Sequence, residues 1–416
     1  MRSERAATVF VFVVVLASHL VYAYCSNGDY FFPDSNDYFT AARNVLNGDG
    51  FTYEGTPETF RTPGYPMFLL PFLALHAPAW TIVFTQHLLY ALLAIAIFRW
   101  TRSITAALVL GIDVMSIHYA NKVLTETLST VFAFVIVWIV LKRRSTPWLV
   151  AAGLLCGTLV LIRPVAIVYF CVVMLWLAYM REARRTIIAF AIAAIVLPAG
   201  WAMRNQVETG HFTISAVGAV NLLEYRASGA MAMEEPGDFK ERRQAHMDEL
   251  LRIVRERIRE GEEDDPDNVN SADCAPYYSA LARQVLLQHP RGTILMTVRG
   301  FFVNMFDADW PALGVVSSLP GPFIRIVMNV WTWMLWIAAI AGLAMMWRRD
   351  RAAALLIGAT IFYFIFMAAG GESEGRFRIP VIPLMAVAVT SLFRSPLRYS
   401  TSRPTSSRAS GQTESR

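Results

Sequence analysis

Apolar runs near 7–24, 80–98, 104–119, 123–141, 146–162, 164–180, 186–203, 323–347, 352–369 and 379–393 dominate this 416-residue chain. A helix of about 20 apolar residues crosses the hydrocarbon core of a bilayer, so each run is a candidate span, with 104–119 and 379–393 on the short side. Lipid offers no partner to a free backbone N–H or C=O, and that restricts such runs to helices or a closed barrel. Runs this long and continuous, without two-residue alternation, select helices. Composition agrees: 55% of the residues are hydrophobic and 17% charged, against about 25% charged in ordinary soluble domains.

Basic clusters follow alternate runs: Arg99 and Arg102; Lys142, Arg143 and Arg144; Arg181, Arg184 and Arg185; Arg348, Arg349 and Arg351; Arg394 and Arg398. With Arg2 and Arg5 they all fall on one side if about ten helices span the membrane and both termini are cytoplasmic. The expected class is an all-α polytopic membrane protein in a plasma (inner) membrane. The net charge of +5 then reports topology, and nucleic acid is not an expected partner.

The opening Met1-Arg2-Ser3-Glu4-Arg5 and the apolar residues to about Tyr24 read as an uncleaved first span; Ala23 is a tolerable cleavage point, but the apolar stretch is long and bulky Tyr22 and Tyr24 flank it. Cys156 and Cys171 lie in apolar runs and read as small core residues. Cys25 and Cys274 both fall outside the bilayer, but spacing alone does not make them a pair.

The expected organisation is an N-terminal membrane module, 1–203, carrying a first outer loop at 25–62; an extracytoplasmic insert, 204–322; C-terminal spans, 323–394; and a Ser/Arg/Thr-rich disordered cytoplasmic tail, 395–416. Within the insert, Met247, Leu250, Leu251, Val254 and Ile258 make one face of a helix over 239–260. The charged run Glu262–Pro266 should end it. A second helix is expected over 276–288, stopped by Pro290, and 293–306 reads as interfacial. No internal repeat of the transporter kind is evident.

The same parity places the chain's unusual polar residues on the outer face. Tyr38, Ala41, Ala42, Val45 and Leu46 form the apolar stripe of a short amphipathic helix lying on the membrane. Asp34 reads in two ways: as the N-cap of that helix, with Asp37 completing a capping pair, or as a carboxylate held at the bilayer surface. Arg61 precedes a Pro63-Gly64-Tyr65-Pro66 break. Glu126 sits in the first turns of a span, where an ionised group needs a cavity or a partner; the plainer reading has it snorkel beside Lys122. Arg163, Arg204-Asn205, Glu374, Arg376 and Arg378 mark other outer junctions. Outer arginines run against the positive-inside bias, and holding lipid phosphates is one local reason for them.

The order of these motifs resembles the membrane glycosyltransferases of the GT-C fold, in the branch of the dolichyl-phosphate-mannose protein mannosyltransferases and the bacterial aminoarabinose transferases of lipid A. The first loop carries the resemblance, with Asp34, Ser35, Tyr38, Ala42, Asn44, Gly48, Gly50 and Phe51, then Arg61, Pro63, Gly64, Tyr65 and Pro66; Val45 stands where the family has Leu. Thr125-Glu126, Arg163-Pro164, Arg204-Asn205 and Arg376-Phe377-Arg378-Ile379-Pro380 follow in the family's order. The resemblance implies that Asp34 is the general base, aided by Asp37, and that Glu126 shapes a substrate pocket. It also implies that Arg163, Arg204, Arg376 and Arg378 hold the phosphate of a polyprenyl-linked sugar, with Tyr38, Arg61, Tyr65, Asn205 and Glu374 lining the substrate site.

The expected reaction moves a sugar, with inversion, from a polyprenyl-phosphate donor to a cell-envelope acceptor at the outer face. Such a donor carries its own leaving group, so arginines and one carboxylate suffice. Some relatives use a divalent metal; Asp34 and Asp37 alone do not make a metal site, and no cofactor is otherwise expected. Two rival readings stay open: a transporter or flippase of lipid-linked sugars, and an oligosaccharide polymerase or ligase. A non-catalytic assembly protein is the third, favoured only if Asp34 is no more than a cap.

Overall fold

The computed structural model describes residues 2–261, 271–308 and 321–393, and over these the chain is almost wholly helical. The N-terminal part runs through α1 (Arg2–Cys25), α2 (Ser35–Asn47), a two-residue hairpin of β1 (Thr52–Tyr53) and β2 (Thr56–Pro57), α3 (Gly64–Ala74) and α4 (Ala79–Thr101). It continues through α5 (Ile104–Ile112), α6 (Val114–Ala120), α7 (Glu126–Lys142), α8 (Thr146–Ile162), α9 (Tyr169–Tyr179) and α10 (Arg184–Thr209). The insert follows with α11 (Val217–Val220), a π-helical turn Asn221–Ala227, α12 (Ser228–Met233), α13 (Phe239–Gly261), α14 (Ser271–Gln288) and α15 (Pro290–Phe306). The chain closes with α16 (Gly321–Arg349), α17 (Arg351–Met367), a 3₁₀ segment Gly375–Val381 and α18 (Ile382–Val389).

Five helical stretches among the described residues are long and apolar enough to cross a membrane: Ser3–Cys25, Ala79–Thr101, Arg184–Thr209, Pro322–Arg349 and Gly375–Leu392. Four shorter apolar helices accompany them, Gly64–Ala74, Thr146–Ile162, Pro164–Tyr179 and Arg351–Met367. The expectation of about ten spans is therefore met by five of full length. One reason is visible at Asp113, which splits the 104–119 run: its carboxylate accepts from Ser116 N and caps α6 just after α5 ends. Another is length, since α7, α8 and α17 have 17 residues each.

The outer surfaces of the long helices are apolar, with Val9, Phe10 and Val13 exposed on α1 and Ile188, Ile192 and Val196 on α10. Such continuous exposed aliphatic faces are what lipid, not water, accommodates. Inside, α8 lies directly on α10. A Cβ at Gly153 would sit 2.4 Å from the Phe190 carbonyl oxygen, so only glycine permits this backbone approach. Small residues at helix contacts are the usual means of packing where no hydrophobic drive distinguishes protein from lipid.

The basic clusters gather at one end of these helices. Arg102 pairs with Glu4, Arg144 with Glu182, and Lys142 lies over the Trp100 ring. Glu126 and Lys142 mark opposite ends of α7, as Ile162 and Thr146 do of α8. Asp34, Arg61, Glu126, Arg163 and Arg376 therefore meet at the end remote from the basic clusters.

In the insert, Leu250, Val254 and Ile258 of α13 are buried as their spacing predicts, and with Leu223, Leu281 and Val285 most of them form a small separate core. The helix expected over 276–288 begins earlier, at Ser271, and Pro290 opens α15 instead of only ending α14. Along α15, Ile294, Val298 and Phe302 form an exposed apolar stripe. The expected charged stop at 262–266 and the tail from 395 lie outside the described residues. No disulfide joins Cys25 to Cys274.

Candidate active site

The head of α2 is set by Ser35, not by Asp34. Ser35 Oγ accepts from Phe32 N at 2.9 Å and donates to Val123 O at 2.8 Å. The first of these caps the turn, and the second pins it to the segment that leads into α7. Asp34 occupies the N-cap position but makes no capping hydrogen bond. Its carboxylate is thereby released: Oδ1 accepts from Arg61 Nη2 at 2.8 Å, and Oδ2 lies 3.9 Å from Arg376 Nη1. Asp37 also faces Arg61, accepting from Nε at 2.9 Å with Nη2 at 2.8 Å. One guanidinium thus spans both carboxylates of the first loop.

Arg61 is aimed by the turn before it. Glu58, 5% exposed, folds its carboxylate back to accept from Phe60 N and Arg61 N at 2.5 and 2.9 Å. Burial raises the Glu58 carboxyl above its usual range. Gly64 then admits α3 against the end of α8, where a Cβ would meet the Leu161 carbonyl oxygen at 2.6 Å. The Pro-Gly-Tyr-Pro motif thus brings Arg61 beside Arg163, the residue that ends α8.

Lys122 does not serve Glu126; it pairs with Asp29 at 2.6 Å. Glu126, 2% exposed, faces Arg163, with 3.4 Å between Oε1 and Nη1. Phe377 lies between the cationic groups, its ring 5.4 Å from Arg163 Cζ and 5.3 Å from Arg376 Cζ. Arg376 Nε is 2.9 Å from Glu374 Oε2, close enough for an ion pair but off the line of the N–H. Among the buried polar atoms that have no hydrogen-bond partner in the described residues are Arg163 Nη1, Arg376 Nε and Glu126 Oε2. Buried polar atoms are rarely left so in native proteins, and a ligand is one cause.

These atoms face a cavity of about 1000 Å³. Asp34, Tyr38, Arg61, Glu126, Arg163, Glu374 and Arg376, all expected from sequence, line it. Burial pushes the Tyr38 phenol up to about 12, so at neutral pH it is a neutral hydroxyl.

Other expected residues stand behind the wall, and their donors are used for architecture. Tyr65 is fully buried, packs edge-on against Tyr38 and donates to Gln86 Oε1 at 2.9 Å. Arg204 donates to the carbonyls of Phe51 and Glu58 at 2.7 and 3.1 Å and to Asn205 Oδ1 at 3.0 Å. Asn205 Nδ2 in turn holds Thr213 O at 2.7 Å. Arg378, 1% exposed, donates to the Asp307 carbonyl and to Thr332 Oγ1. Arg204, Asn205, Arg378 and Tyr65, all expected at the substrate site, thus stand outside the cavity lining, the first three tied to neighbouring loops and Tyr65 packed behind Tyr38. Asp37 is not part of the cavity lining; its carboxylate meets Arg61, which is.

Sequence reading missed the insert's share of the wall: Arg226, Lys240, Arg243 and Arg299, with Arg325 from α16. Arg299 and Arg325 stand singly in apolar surroundings, a signal that was there to be used. As for a divalent metal, no three His, Cys, Asp or Glu side chains gather as a ligand set among the described residues. The nearest acids, Asp34 and Asp37, already share a guanidinium, so the residues suit an anion better than a cation.

No family model and no curated protein matches the chain by sequence. Among solved structures it is similar to the oligosaccharyltransferase AglB from Archaeoglobus fulgidus, solved with an inhibitory peptide and a dolichol phosphate. The TM-score is 0.51 at 9% identity, over 93% of this chain and 50% of that one. The chain thus spans about half the length of the archaeal protein. It is also similar to ArnT from Cupriavidus metallidurans bound to undecaprenyl phosphate, with TM-score 0.40 and 13% identity over 92% and 78% of the two chains. At such identities the likeness is one of fold alone, the GT-C arrangement of membrane helices.

Proposed function

We propose that this chain is an integral membrane glycosyltransferase that moves a sugar from a polyprenyl-phosphate donor to a cell-envelope acceptor. The observation that carries the reading is the set of unpaired polar atoms around one cavity, donors on Arg163 and Arg376 and an acceptor on Glu126, beside a carboxylate. Guanidinium donors suit a phosphate that gains charge as it leaves. A buried carboxylate oxygen suits a hydroxyl.

In the reaction, Arg376, Arg61 and Arg163 hold the donor phosphate. The acceptor hydroxyl oxygen attacks the anomeric carbon from the face opposite the phosphate, so the configuration inverts. The bond from that carbon to the phosphate oxygen breaks, and polyprenyl phosphate leaves with the electron pair. The hydroxyl proton passes to Asp34. Oδ2 is the oxygen to take it, because Oδ1 is held by Arg61 at 2.8 Å while the nearest cation to Oδ2 is 3.9 Å away. Glu126 Oε2 orients a hydroxyl of the sugar or the acceptor. The archaeal protein of similar fold was solved with a dolichol phosphate, which supports the donor class, and the basic clusters at the opposite helix ends favour an extracytoplasmic site in a plasma membrane. The acceptor is a glycolipid, a polysaccharide or a protein of the cell envelope.

Mass spectrometry of lipid-linked sugars and envelope glycans in a deletion strain tests this. The expected result is accumulation of one polyprenyl-phosphate sugar and loss of one glycan decoration. Unchanged lipid-linked sugars would overturn the reading.

A further inference from the structure

The two sides of the cavity differ in charge balance. On the Asp34 side each arginine has a carboxylate: Arg61 has Asp34 and Asp37, Arg163 has Glu126, and Arg376 has Glu374. Across from them the insert contributes Lys240 and Arg243 from the first turns of α13 and Arg299 from α15. Here the match fails. Arg243 gives Nη1 to Gly371 O at 2.6 Å, but its Nε is buried with no hydrogen-bond partner among the described residues. The Arg299 guanidinium lies 4.0 Å over the Phe239 ring, with no hydrogen bond or ion pair to a described residue. Its face is thus covered by an aromatic ring while its N–H edge stays available, a posture suited to an anion.

Like charges in a half-enclosed space oppose one another unless an anion joins them. Burial, and then the charge of Arg243, both work against the charge on Arg299, with Asp307 and Asp238 opposing in turn. Of the other acids that line the cavity, Glu372 pairs through Oε1 with Arg226 at 3.4 Å, and Asp307 receives Arg378 at its backbone carbonyl.

We propose that Lys240, Arg243 and Arg299 form a second anion subsite, which takes a phosphate group distinct from the one at Arg61, Arg163 and Arg376. The inference rests on the transferase reading for the identity of the first phosphate. The second can come from either of two sources, the outer phosphate of a pyrophosphate-linked lipid or a phosphate on the acceptor; both offer the same oxygens to the same donors. Either source would explain why an insert lies over a cavity whose first anion site is already complete without it.

The test uses the purified full-length protein, wild type and Lys240→Gln/Arg299→Gln, with three probes. These are undecaprenyl phosphate, undecaprenyl pyrophosphate, and mannose 6-phosphate added to protein saturated with undecaprenyl phosphate. If the second phosphate belongs to the same lipid, the variant should lose about tenfold or more in affinity for the pyrophosphate and keep its affinity for the monophosphate. If it belongs to the acceptor, both lipids should bind unchanged and saturable binding of the phosphosugar should be lost. Equal binding of all three probes by both proteins overturns the proposal, as does an equal loss of all three. Lys240 is exposed, so Lys240→Gln alone should give the same direction with a smaller loss and an intact fold. Wild-type protein that binds the phosphosugar through Lys240 but ignores undecaprenyl phosphate would instead sink the transferase reading and leave the subsite standing.

Discussion

The guanidinium of Arg376, in the 3₁₀ segment before α18, stands with Nη1 3.9 Å from Oδ2 of Asp34 at the head of α2. The contact joins the segment after α17 to the head of α2 and sets the two oxygens of Asp34 apart: Oδ1 is tied to Arg61, Oδ2 only loosely approached. In the proposed reaction this proximity lets Asp34 and Arg376 act on the two ends of one transfer step.

Asp34→Asn removes the proton acceptor while keeping a carbonyl oxygen for Arg61. Sugar transfer from a polyprenyl-phosphate donor should fall by roughly 100-fold or more, within the range general-base catalysis supplies. Donor affinity should change little, and the protein should insert and purify normally. Single-turnover transfer assays check this; wild-type turnover would remove Asp34 from the role.

Arg376→Ala and Arg204→Ala should separate binding from architecture. Losing a charged hydrogen-bond donor to phosphate costs about 1.5–3 kcal/mol, so Arg376→Ala should weaken the donor about tenfold or more. Arg204→Ala removes the side-chain donor from the Glu58 carbonyl and leaves the Phe51 carbonyl with only the Glu58 N–H. It should lower thermal stability and yield, with donor affinity in the folded fraction unchanged. Titration of undecaprenyl phosphate alongside thermal melts in detergent distinguishes the two.

Glu126→Gln leaves Arg163, whose side chain is 13% exposed, without its counter-charge. Breaking a buried pair on one side typically costs about 3–5 kcal/mol, whereas removing both members costs much less. The double variant Glu126→Gln/Arg163→Gln should therefore recover most of the lost thermal stability and none of the activity. A double variant no more stable than Glu126→Gln would show that the two side chains are not coupled.

Glu58 should make the first loop sensitive to pH. Burial raises its folded-state pKa, so the neutral carboxyl is the form the fold prefers. Its contribution is fully present below the ordinary carboxylate range and is lost as pH rises through the raised value. Glu58→Gln keeps an oxygen for Phe60 N and Arg61 N but cannot ionise. The variant should gain thermal stability relative to wild type as pH is raised from about 4 to 7, with the difference smallest at the acid end. Melting curves across that interval check the sign.

Much of this molecule is legible in its sequence because the governing signals are local. Hydropathy over a window of residues marks apolar helices whatever they pack against, and Leu250, Val254 and Ile258 announce their buried face through spacing alone. The alternation of basic clusters likewise sorts the helix ends. Composition could not say that Asp113 breaks one apolar run, or that several helices stop short of a full bilayer crossing.

The site divides in the same way. Asp34, Arg61, Glu126, Arg163 and Arg376 are recognisable as polar residues placed where polarity needs a reason, and the fold brings them to one cavity. Arg204 and Arg378 carry the same local signature, yet their donors hold backbone carbonyls. Lys240, Arg243 and Arg299 look like an ordinary helix surface and a stray charge until the insert folds over the cavity. Where a guanidinium points depends on which carbonyls and carboxylates packing brings within about 3 Å of it, and those partners come from distant segments. The sequence by itself settled that this chain is a bundle of apolar helices with its odd charges at one end. Only the tertiary structure decided which of those charges face the cavity and which serve as struts behind it.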